Sequence, residues 1–285
     1  MVSDAAGDRC KRYELSDNAK RAMPGIPLLA RLDGKSFHTF TRGLARPYDT
    51  GMQTCMVETT KYLVEQSNAC IGYTQSDEIT LAWFVEADST SQYPFDGRMQ
   101  KLTSVLASMA SAKFAKLLPE HLPTKAHLLP VFDCRVWQVP TKQDAFDVFL
   151  WREDDATKNS ITMAASSYYS HKDLHKKNSS EKQELLFQKG VNWNDYPASF
   201  RRGQFVRRSV VQRRLNEAER LKIPERNRPD PDLLVTRSVL QAIDAPPLRK
   251  IKNHLGFIFD KESPEPRTAV DTKSNMMVEP HESAS

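Results

Sequence analysis

The most constraining feature of the sequence is the order of its apolar segments between residues 27 and 139. Apolar runs bounded by turn residues predict strands, and apolar side chains at helical spacing predict helices. The predicted strands are 27–32, 69–74, 79–85 and 131–139, and the predicted helices are 52–66 and 99–118, the second ending before Pro119. The order strand, helix, strand, strand, helix, strand is that of the split βαβ, or ferredoxin-like, fold.

This order predicts an α+β fold, namely a ferredoxin-like antiparallel sheet of the polymerase-palm or nucleotidyl-cyclase type with helices on one face and a helical C-terminal extension. Further helices are predicted at 145–151, 159–169 and 180–188. The tail has prolines but no aromatic residues and is predicted to be disordered. The chain is divided into a lead-in segment (1–26), a palm-like domain (27–140), a helical and basic region (141–214), a C-terminal extension (215–261) and the tail (262–285).

The composition argues against several classes of protein. The sequence has no run of about 18 apolar residues, so a membrane span is not expected. No apolar signal segment follows the N-terminus. The four cysteines lie far apart without zinc-binding spacing, which favours reduced thiols and a cytoplasmic location.

The distribution of charge is more informative than its sum. The net charge of +5 is too small to indicate a nucleic-acid partner. The stretch 201–214 (RRGQFVRRSVVQRR), however, contains six arginines and no acid. Such a cluster is suited to a phosphate backbone, and it is equally typical of a solvated basic face, so both interpretations remain open.

Two acidic positions are predicted to meet at the sheet centre. Asp33 follows the first strand, and Asp77 and Glu78 occupy the tip of the hairpin between the second and third strands. The first and third strands are neighbours in a ferredoxin-like sheet, so these carboxylates can approach one another. Clustered carboxylates suit magnesium, although Asp-Gly and Ser-Asp-Glu are also ordinary turn sequences. We favour the metal site.

Four motifs then identify a resemblance. LDGKSFHTF, YTQSDEITLAWF, FDCRVW and VFLWREDDATKNSI, in this order, resemble the tRNA-His guanylyltransferase family and its relatives, the 3′–5′ RNA polymerases. The similarity runs from about Leu28 to about Gly203. It implies activation of an RNA 5′-monophosphate by ATP or GTP, followed by attack of a nucleotide 3′-hydroxyl with two magnesium ions. It also implies tRNA as the partner, release of pyrophosphate and assembly as a homotetramer.

The resemblance also implies roles for individual residues. Asp33, Asp77 and the Gly34 carbonyl correspond to the metal ligands, and Glu78 to a supporting catalytic residue. The residues matching the family's nucleotide-binding positions are Lys35, Ser36, Phe37, His38, Ser76, Arg98 and Lys101. The residues matching its RNA-binding positions are Arg152, Asn159, Lys182, Arg201 and Arg202.

One departure from the family pattern bears on the activity. Eukaryotic members have a His-Ile-Asn-Asn motif where this chain has Thr157, Lys158, Asn159 and Ser160. In the family that motif accompanies untemplated guanosine addition to tRNA-His. Its loss favours template-dependent repair of tRNA 5′ ends, with untemplated guanylyl addition as the alternative. Two further alternatives are a nucleotidyl cyclase, for which the GGDEF-type signature is absent, and a non-catalytic RNA-binding module, which would not need both Asp33 and Asp77.

Overall fold

A computed structural model describes residues 5–17 and 19–267 of the 285-residue chain. The strands are β1 (Leu28–Gly34), β2 (Ile71–Gln75), β3 (Glu78–Trp83), β4 (Phe132–Gln138), β5 (Gln204–Arg213) and β6 (Val235–Ile243). The helices are α1 (Ala5–Asp17), α2 (Phe37–Phe40), α3 (Thr50–Ser67), α4 (Met99–His121), α5 (Lys142–Ser166), α6 (His171–Leu174), α7 (Ser179–Gln188), α8 (Ala198–Arg202), α9 (Glu217–Leu221) and α10 (His254–Phe259). Within these residues, no helix has both the length and the apolar composition that spanning a bilayer requires.

The strands form one antiparallel sheet in the order β4–β1–β3–β2–β5–β6. The predicted ferredoxin-like order is confirmed, because β1 and β3 are neighbours and β4 lies on the other side of β1. In this register Asp33 lies opposite Glu78 of β3 and opposite Asp133 of β4. The sheet therefore brings acidic residues from three strands to one end of β1.

One face of the sheet is covered by α3 and α4. The alternating residues Leu28, Ala30 and Leu32 of β1 are fully buried in this layer. Helix α3 lies directly on β2, because a Cβ added at Gly72 would be 2.7 Å from Thr60 Cγ2 and 2.8 Å from Val64 Cγ2. Burial of apolar side chains between these helices and the sheet anchors β1, which carries Asp33, and β2, which leads into the turn with Asp77.

The opposite face is covered by α5 and the C-terminal segment that includes α10. Leu29 of β1 and Tyr73 of β2 point to this side and pack with Phe149 and Phe257. The predicted helical extension thus forms the second layer over the sheet. Helix α5 therefore lies on the same face of the sheet as Glu78 at the start of β3, which is the cross-strand partner of Asp33 near the end of β1.

Two helices differ from their predicted bounds. The helices predicted at 145–151 and 159–169 are one continuous helix, α5, whose start is fixed by a capping box between Thr141 and Asp144. No glycine or proline interrupts it. Helix α4 continues beyond Pro119 to His121, because Leu118 and Leu122 at its end are buried in the core.

Strands β5 and β6 were not predicted. Strand β5 begins within the arginine-rich stretch, where charge conceals the alternation of apolar side chains. Arg207 is only 5% exposed, and its guanidinium donates hydrogen bonds to the carbonyls of Phe257 and Glu262 at 3.2 and 2.6 Å. The six-arginine stretch is consequently not a uniform basic surface.

The beginning of the predicted disordered tail is ordered. Ile251 forms a β-bridge with Pro266, and Asn253 Nδ2 donates to the Ser263 carbonyl at 2.9 Å. These contacts satisfy backbone groups that composition alone cannot assign. Residues 268–285 of the predicted tail lie outside the described residues.

Glu153 joins the C-terminal layer to α5. It is 5% exposed, and its Oε2 accepts a hydrogen bond from the Leu248 amide at 2.9 Å. The nearest cation is the Arg202 guanidinium, 3.9 Å away. Burial raises the pKa of Glu153 to about 7, although the Leu248 amide and Arg202 oppose the shift.

Replacing Glu153 with glutamine should remove a pH-dependent loss of stability. The pKa of Glu153 in the folded protein lies above its value in the unfolded chain. The folded protein therefore loses stability as the pH rises from the unfolded pKa towards and through 7. Glutamine does not titrate, so the unfolding free energy of Glu153→Gln minus that of wild type should increase from pH 5 to pH 8. We expect an increase of at most about 3 kcal/mol. Urea denaturation at both pH values measures this difference.

The matched control is Glu86→Gln. Glu86 also faces a cation, Lys142 at 3.8 Å, but it is exposed to solvent. Its difference from wild type should be nearly independent of pH. A Glu153→Gln difference that is the same at pH 5 and pH 8 would contradict the prediction.

Candidate active site

The candidate site lies where β1 ends against the β2–β3 hairpin. The Gly34 amide donates a hydrogen bond to the Asp77 carbonyl at 3.1 Å, and Asp33 is the cross-strand partner of Glu78. Asp33 and Asp77 are thus held together by backbone hydrogen bonds, as the strand order predicted. Ser76, with a φ of 50°, forms the hairpin turn and donates its hydroxyl to Asp77 Oδ1 at 3.0 Å.

Packing, more than access to a ligand, explains the glycine after Asp33. A Cβ at Gly34 would lie 2.3 Å from Cδ2 of Phe37. The Phe37 ring is buried and stacks on Phe40 at a centroid distance of 4.9 Å, with Phe114 and Phe132 at its edges. The aromatic cluster therefore fixes the turn that leaves β1.

The electrostatics of Asp33 and Asp77 are those of carboxylates short of positive charge. Burial raises the pKa of Asp33, and the neighbouring Asp133 raises it further. Burial also raises the pKa of Asp77, and Asp33 adds to that shift while the Ser76 hydroxyl opposes it. Among the described residues, no lysine or arginine lies within ion-pair distance of either carboxylate.

This pair of carboxylates fits a divalent cation. Acceptor-only oxygens whose ionised form is penalised by burial and by mutual repulsion are stabilised by a bound metal. Over residues 5–17 and 19–267, no three His, Cys, Asp or Glu side chains gather as a metal-binding set. Magnesium suits such a sparse set, because it commonly takes one or two carboxylates and completes its shell with phosphate oxygens and water.

Glu78 differs from Asp33 and Asp77 in being paired with arginines, although burial raises its pKa against the opposing effect of Arg152 and Arg31. Arg152 Nε donates to Glu78 Oε1 at 2.6 Å, Arg152 Nη2 donates to Asp155 Oδ2 at 2.9 Å, and Arg31 lies 3.9 Å from Glu78. Arg152 is only 6% exposed. The structure therefore gives Arg152 a different place from the expected RNA-binding one: it joins α5 to the carboxylate hairpin. Glu78 lies opposite Asp33 in the sheet, and its expected supporting role stays a prediction.

The loop after Asp33 exposes backbone donors. Ser36 has a φ of 58°, and Lys35 and His38 are exposed beside it. The amides of Ser36, Phe37 and His38 donate to no acceptor in the described part of the chain. Consecutive unpaired amides next to a basic side chain can hold phosphate oxygens. The side chain of Phe37, in contrast, belongs to the core, so only its amide can serve the expected nucleotide-binding role.

Arg98 and Lys101 lie away from this site. Arg98 precedes α4 and forms a β-bridge with Arg21, and Lys101 lies 5.3 Å above the Phe95 ring. These residues adjoin the beginning of β1, whereas Asp33 is near its end, roughly 16 Å further along the strand. The start of α4 and the carboxylates thus lie at opposite ends of β1. Arg98 and Lys101 are therefore not brought to Asp33 and Asp77 of the same chain.

The remaining expected RNA-binding residues lie around α5, α7 and α8. Asn159 is exposed and donates to Asp155 at 3.3 Å, and Lys182 Nζ lies 3.0 Å from the Thr162 hydroxyl. Arg201 stacks on the Trp193 ring at 5.2 Å. Arg202 is instead directed to the buried Glu153. Asn159, Lys182 and Arg201 thus lie on α5, α7 and α8 with local partners, whereas the Arg152 side chain is buried against Glu78 and Arg202 is directed to the buried Glu153.

Sequence reasoning missed three residues beside Asp33. Asp133 and Arg135 alternate on β4, and Arg31 and Asp33 alternate on β1 in the matching register. The motif FDCRVW was identified only through the resemblance. Its charged residues alternate with a period of two, which could have indicated that they share one face of the sheet with Arg31 and Asp33. These residues contribute alternating charges around the candidate site.

Comparisons with known proteins agree with this geometry. A family model described as tRNA-His guanylyltransferase matches residues 7–140. The tRNA-His guanylyltransferase of Saccharomyces cerevisiae is 30% identical over 205 residues, which cover 65% of this chain and 84% of that protein. This chain belongs to the tRNA-His guanylyltransferase family. It is therefore a nucleotidyltransferase.

Solved structures of family members share the fold. A bacterial tRNA-His guanylyltransferase-like protein in complex with ATP is 38% identical with a TM-score of 0.67, covering 72% of this chain and 87% of that one. A second bacterial guanylyltransferase-like structure, in complex with GTP, is 32% identical with a TM-score of 0.62, covering 83% and 91%. The palm-like fold of this family member is confirmed.

Removing Arg152 should destabilise the protein strongly. Arg152→Ala leaves Glu78 buried beside only the more distant Arg31, and breaking one side of a buried ion pair typically costs about 3–5 kcal/mol. We expect a loss of about 3 kcal/mol in urea denaturation. Arg135→Ala is the matched control: its guanidinium is exposed and 3.8 Å from Asp133, so its loss should be below about 0.5 kcal/mol. Equal losses in the two variants would contradict the assigned role of the Arg152–Glu78 pair.

Proposed function

We propose that this family member is a metal-dependent nucleotidyltransferase that adds nucleotides in the 3′–5′ direction to the 5′ end of tRNA. The observation that carries the proposal is the juxtaposition of Asp33 and Asp77, neither of which forms an ion pair with a lysine or arginine of the described residues. A half-buried carboxylate pair of this kind is suited to two-metal phosphoryl chemistry. The unpaired amides of the loop after Asp33 add a phosphate-binding element beside it.

Each part of the site has a task in this proposal. Asp33 and Asp77, with the Gly34 carbonyl, hold Mg²⁺, which when bound supplies positive charge to the phosphate oxygens of the reacting groups. The amides of Ser36, Phe37 and His38 and the exposed Lys35 bind the triphosphate of ATP or GTP. The complexes of the two bacterial relatives with ATP and GTP support this choice of substrates.

Template-dependent 5′-end repair is the favoured activity. Where eukaryotic relatives have the motif histidine, this chain has Thr157, and its hydroxyl donates to the Glu153 carbonyl of the same helix at 2.9 Å. Threonine has no imidazole, and the Thr157 hydroxyl is already engaged with its own helix, so this position does not replace the histidine in RNA recognition. Asn159, Lys182 and Arg201 supply polar and basic contacts to the tRNA. Untemplated guanylyl addition to tRNA-His is the alternative activity.

A homotetramer is part of the proposal. Arg98 and Lys101 match basic positions of the family but lie at the far end of the sheet from Asp33. A neighbouring copy of the chain could bring them to a bound tRNA or nucleotide. This arrangement would reconcile the family pattern with their placement here.

Loss of Asp77 should abolish nucleotide addition. With Mg²⁺, ATP and GTP, and a 5′-monophosphorylated tRNA lacking its first nucleotide, wild type should extend the 5′ end. Asp77→Ala should lower the rate at least about a thousandfold, since several kcal/mol of charge stabilisation are removed. Products are sized at single-nucleotide resolution.

Asp88→Ala provides the control, because Asp88 is an exposed turn residue beyond the end of β3. It should extend the tRNA at the wild-type rate. Full activity of Asp77→Ala, or extension by wild type at the 3′ end only, would refute the proposed chemistry.

The identity of the added nucleotide distinguishes repair from untemplated guanylylation. When the tRNA nucleotide opposite the missing position is changed, a template-dependent enzyme should add the new complement. The same assay with intact tRNA-His should show little guanosine addition. Addition of guanosine whatever nucleotide lies opposite would favour the alternative activity.

A further inference from the structure

Trp151 is an exposed tryptophan beside the candidate site. It is 54% exposed, whereas Trp83 is 3% exposed in the core. Leaving a large aromatic side chain in water forgoes the stabilisation that its burial would give. Its ring stacks on no other aromatic ring of the described residues. Aromatic packing among the described residues therefore does not explain its position.

Two arginines fix the indole ring in place. The guanidinium carbon of Arg152 lies 4.4 Å from its centroid, and that of Arg31 lies 5.5 Å away. Both arginines also pair with Glu78, at 2.6 and 3.9 Å. The indole is thus held by cations that are themselves anchored, while more than half of the residue remains open to solvent.

The location of these arginines places Trp151 beside the carboxylates. Arg31 lies two residues before Asp33 on the same strand and therefore on the same face of the sheet. Arg152 reaches the same end of the sheet, because its Nε donates at 2.6 Å to Glu78, the cross-strand partner of Asp33. An anchored and solvent-open aromatic surface consequently borders the position proposed for nucleotide addition.

We propose that Trp151 is a base-stacking residue, which binds the nucleobase next to the reacting phosphates. Every base has a π-face, so stacking on an indole contributes affinity without regard to base identity. That tolerance suits an enzyme that adds different nucleotides according to a template. The base belongs either to the nucleoside triphosphate or to the terminal nucleotide of the RNA. The inference rests on the function proposed above and extends it to a residue outside the metal and phosphate sites.

Fluorescence isolates the response of Trp151. The chain has four tryptophans, and the difference between wild type and Trp151→Phe gives the signal of Trp151. The probes are ATP, GTP, inorganic tripolyphosphate, the tRNA lacking its first nucleotide, and the same tRNA with an abasic 5′-terminal residue. Stacking on the nucleotide predicts quenching by ATP and GTP but not by tripolyphosphate. Stacking on the RNA predicts quenching by the normal tRNA but not by its abasic form.

Kinetics test whether the stacking serves the reaction. Trp151→Leu should raise the KM for the quenching ligand on the order of tenfold or more, whereas Trp151→Phe should retain most of the affinity. Tyr62→Leu is the matched control, because Lys113 Nζ lies 5.8 Å from its ring and Tyr62 belongs to α3, which covers the opposite face of the sheet. Tyr62→Leu should not raise the KM for ATP, GTP or the tRNA. Melting temperatures of all variants monitor folding.

The outcomes separate this inference from the proposed function. Nucleotide addition with an unchanged KM in Trp151→Leu and no base-dependent quenching would overturn the stacking role and leave the proposed function standing. Equal quenching by ATP and tripolyphosphate, with equal quenching by the normal and abasic tRNAs, would also overturn it. Base-dependent quenching in a wild-type protein that adds no nucleotide would support the stacking role and refute the proposed reaction.

Discussion

The antiparallel register between β1 and β3 determines which carboxylates meet at the end of the sheet. It sets Asp33 opposite Glu78 and joins the Gly34 amide to the Asp77 carbonyl. A shift of one residue would turn Asp33 and Arg31 to the opposite face, into the apolar layer under α3 and α4. The buried alternation of Leu28, Ala30 and Leu32 prevents that shift. The same hydrophobic burial that stabilises the sheet therefore positions the carboxylates.

Charge is distributed unequally among the acidic residues at this end of the sheet. Glu78 is paired with Arg152 and approached by Arg31, whereas Asp33 and Asp77 are paired with no cation of the described chain. A protein that needed these acids only for structure could pair them with arginines in the same way as Glu78. The buried Arg152 is bonded to the hairpin residue Glu78, and the other two carboxylates are those to which we assign the metal ions in the proposed function. The arginines also hold Trp151 at the border of the site.

Much of this arrangement could be predicted from the sequence, and the missing parts have physical reasons. The order of apolar segments predicted the neighbouring β1 and β3, because few topologies satisfy it. The partner of Arg152 could not be predicted, since 74 positions separate it from Glu78 and only the packing of α5 brings them together. Strand β5 was missed because arginines interrupt its apolar pattern, and one of them, Arg207, is buried by carbonyls from the C-terminal segment. The expected role of Arg98 came from the family pattern, which does not show at which end of the sheet a residue lies.

The most direct test of the account is the position of metal ions at this site. Crystals of the protein grown with Mn²⁺ and ATP would locate the ions by anomalous scattering, independently of any activity assay. The account predicts manganese bonded to carboxylate oxygens of both Asp33 and Asp77, with triphosphate oxygens in its coordination shell. Manganese bound elsewhere, with both carboxylates free of metal while ATP is present, would contradict the assignment of this pair as the metal centre.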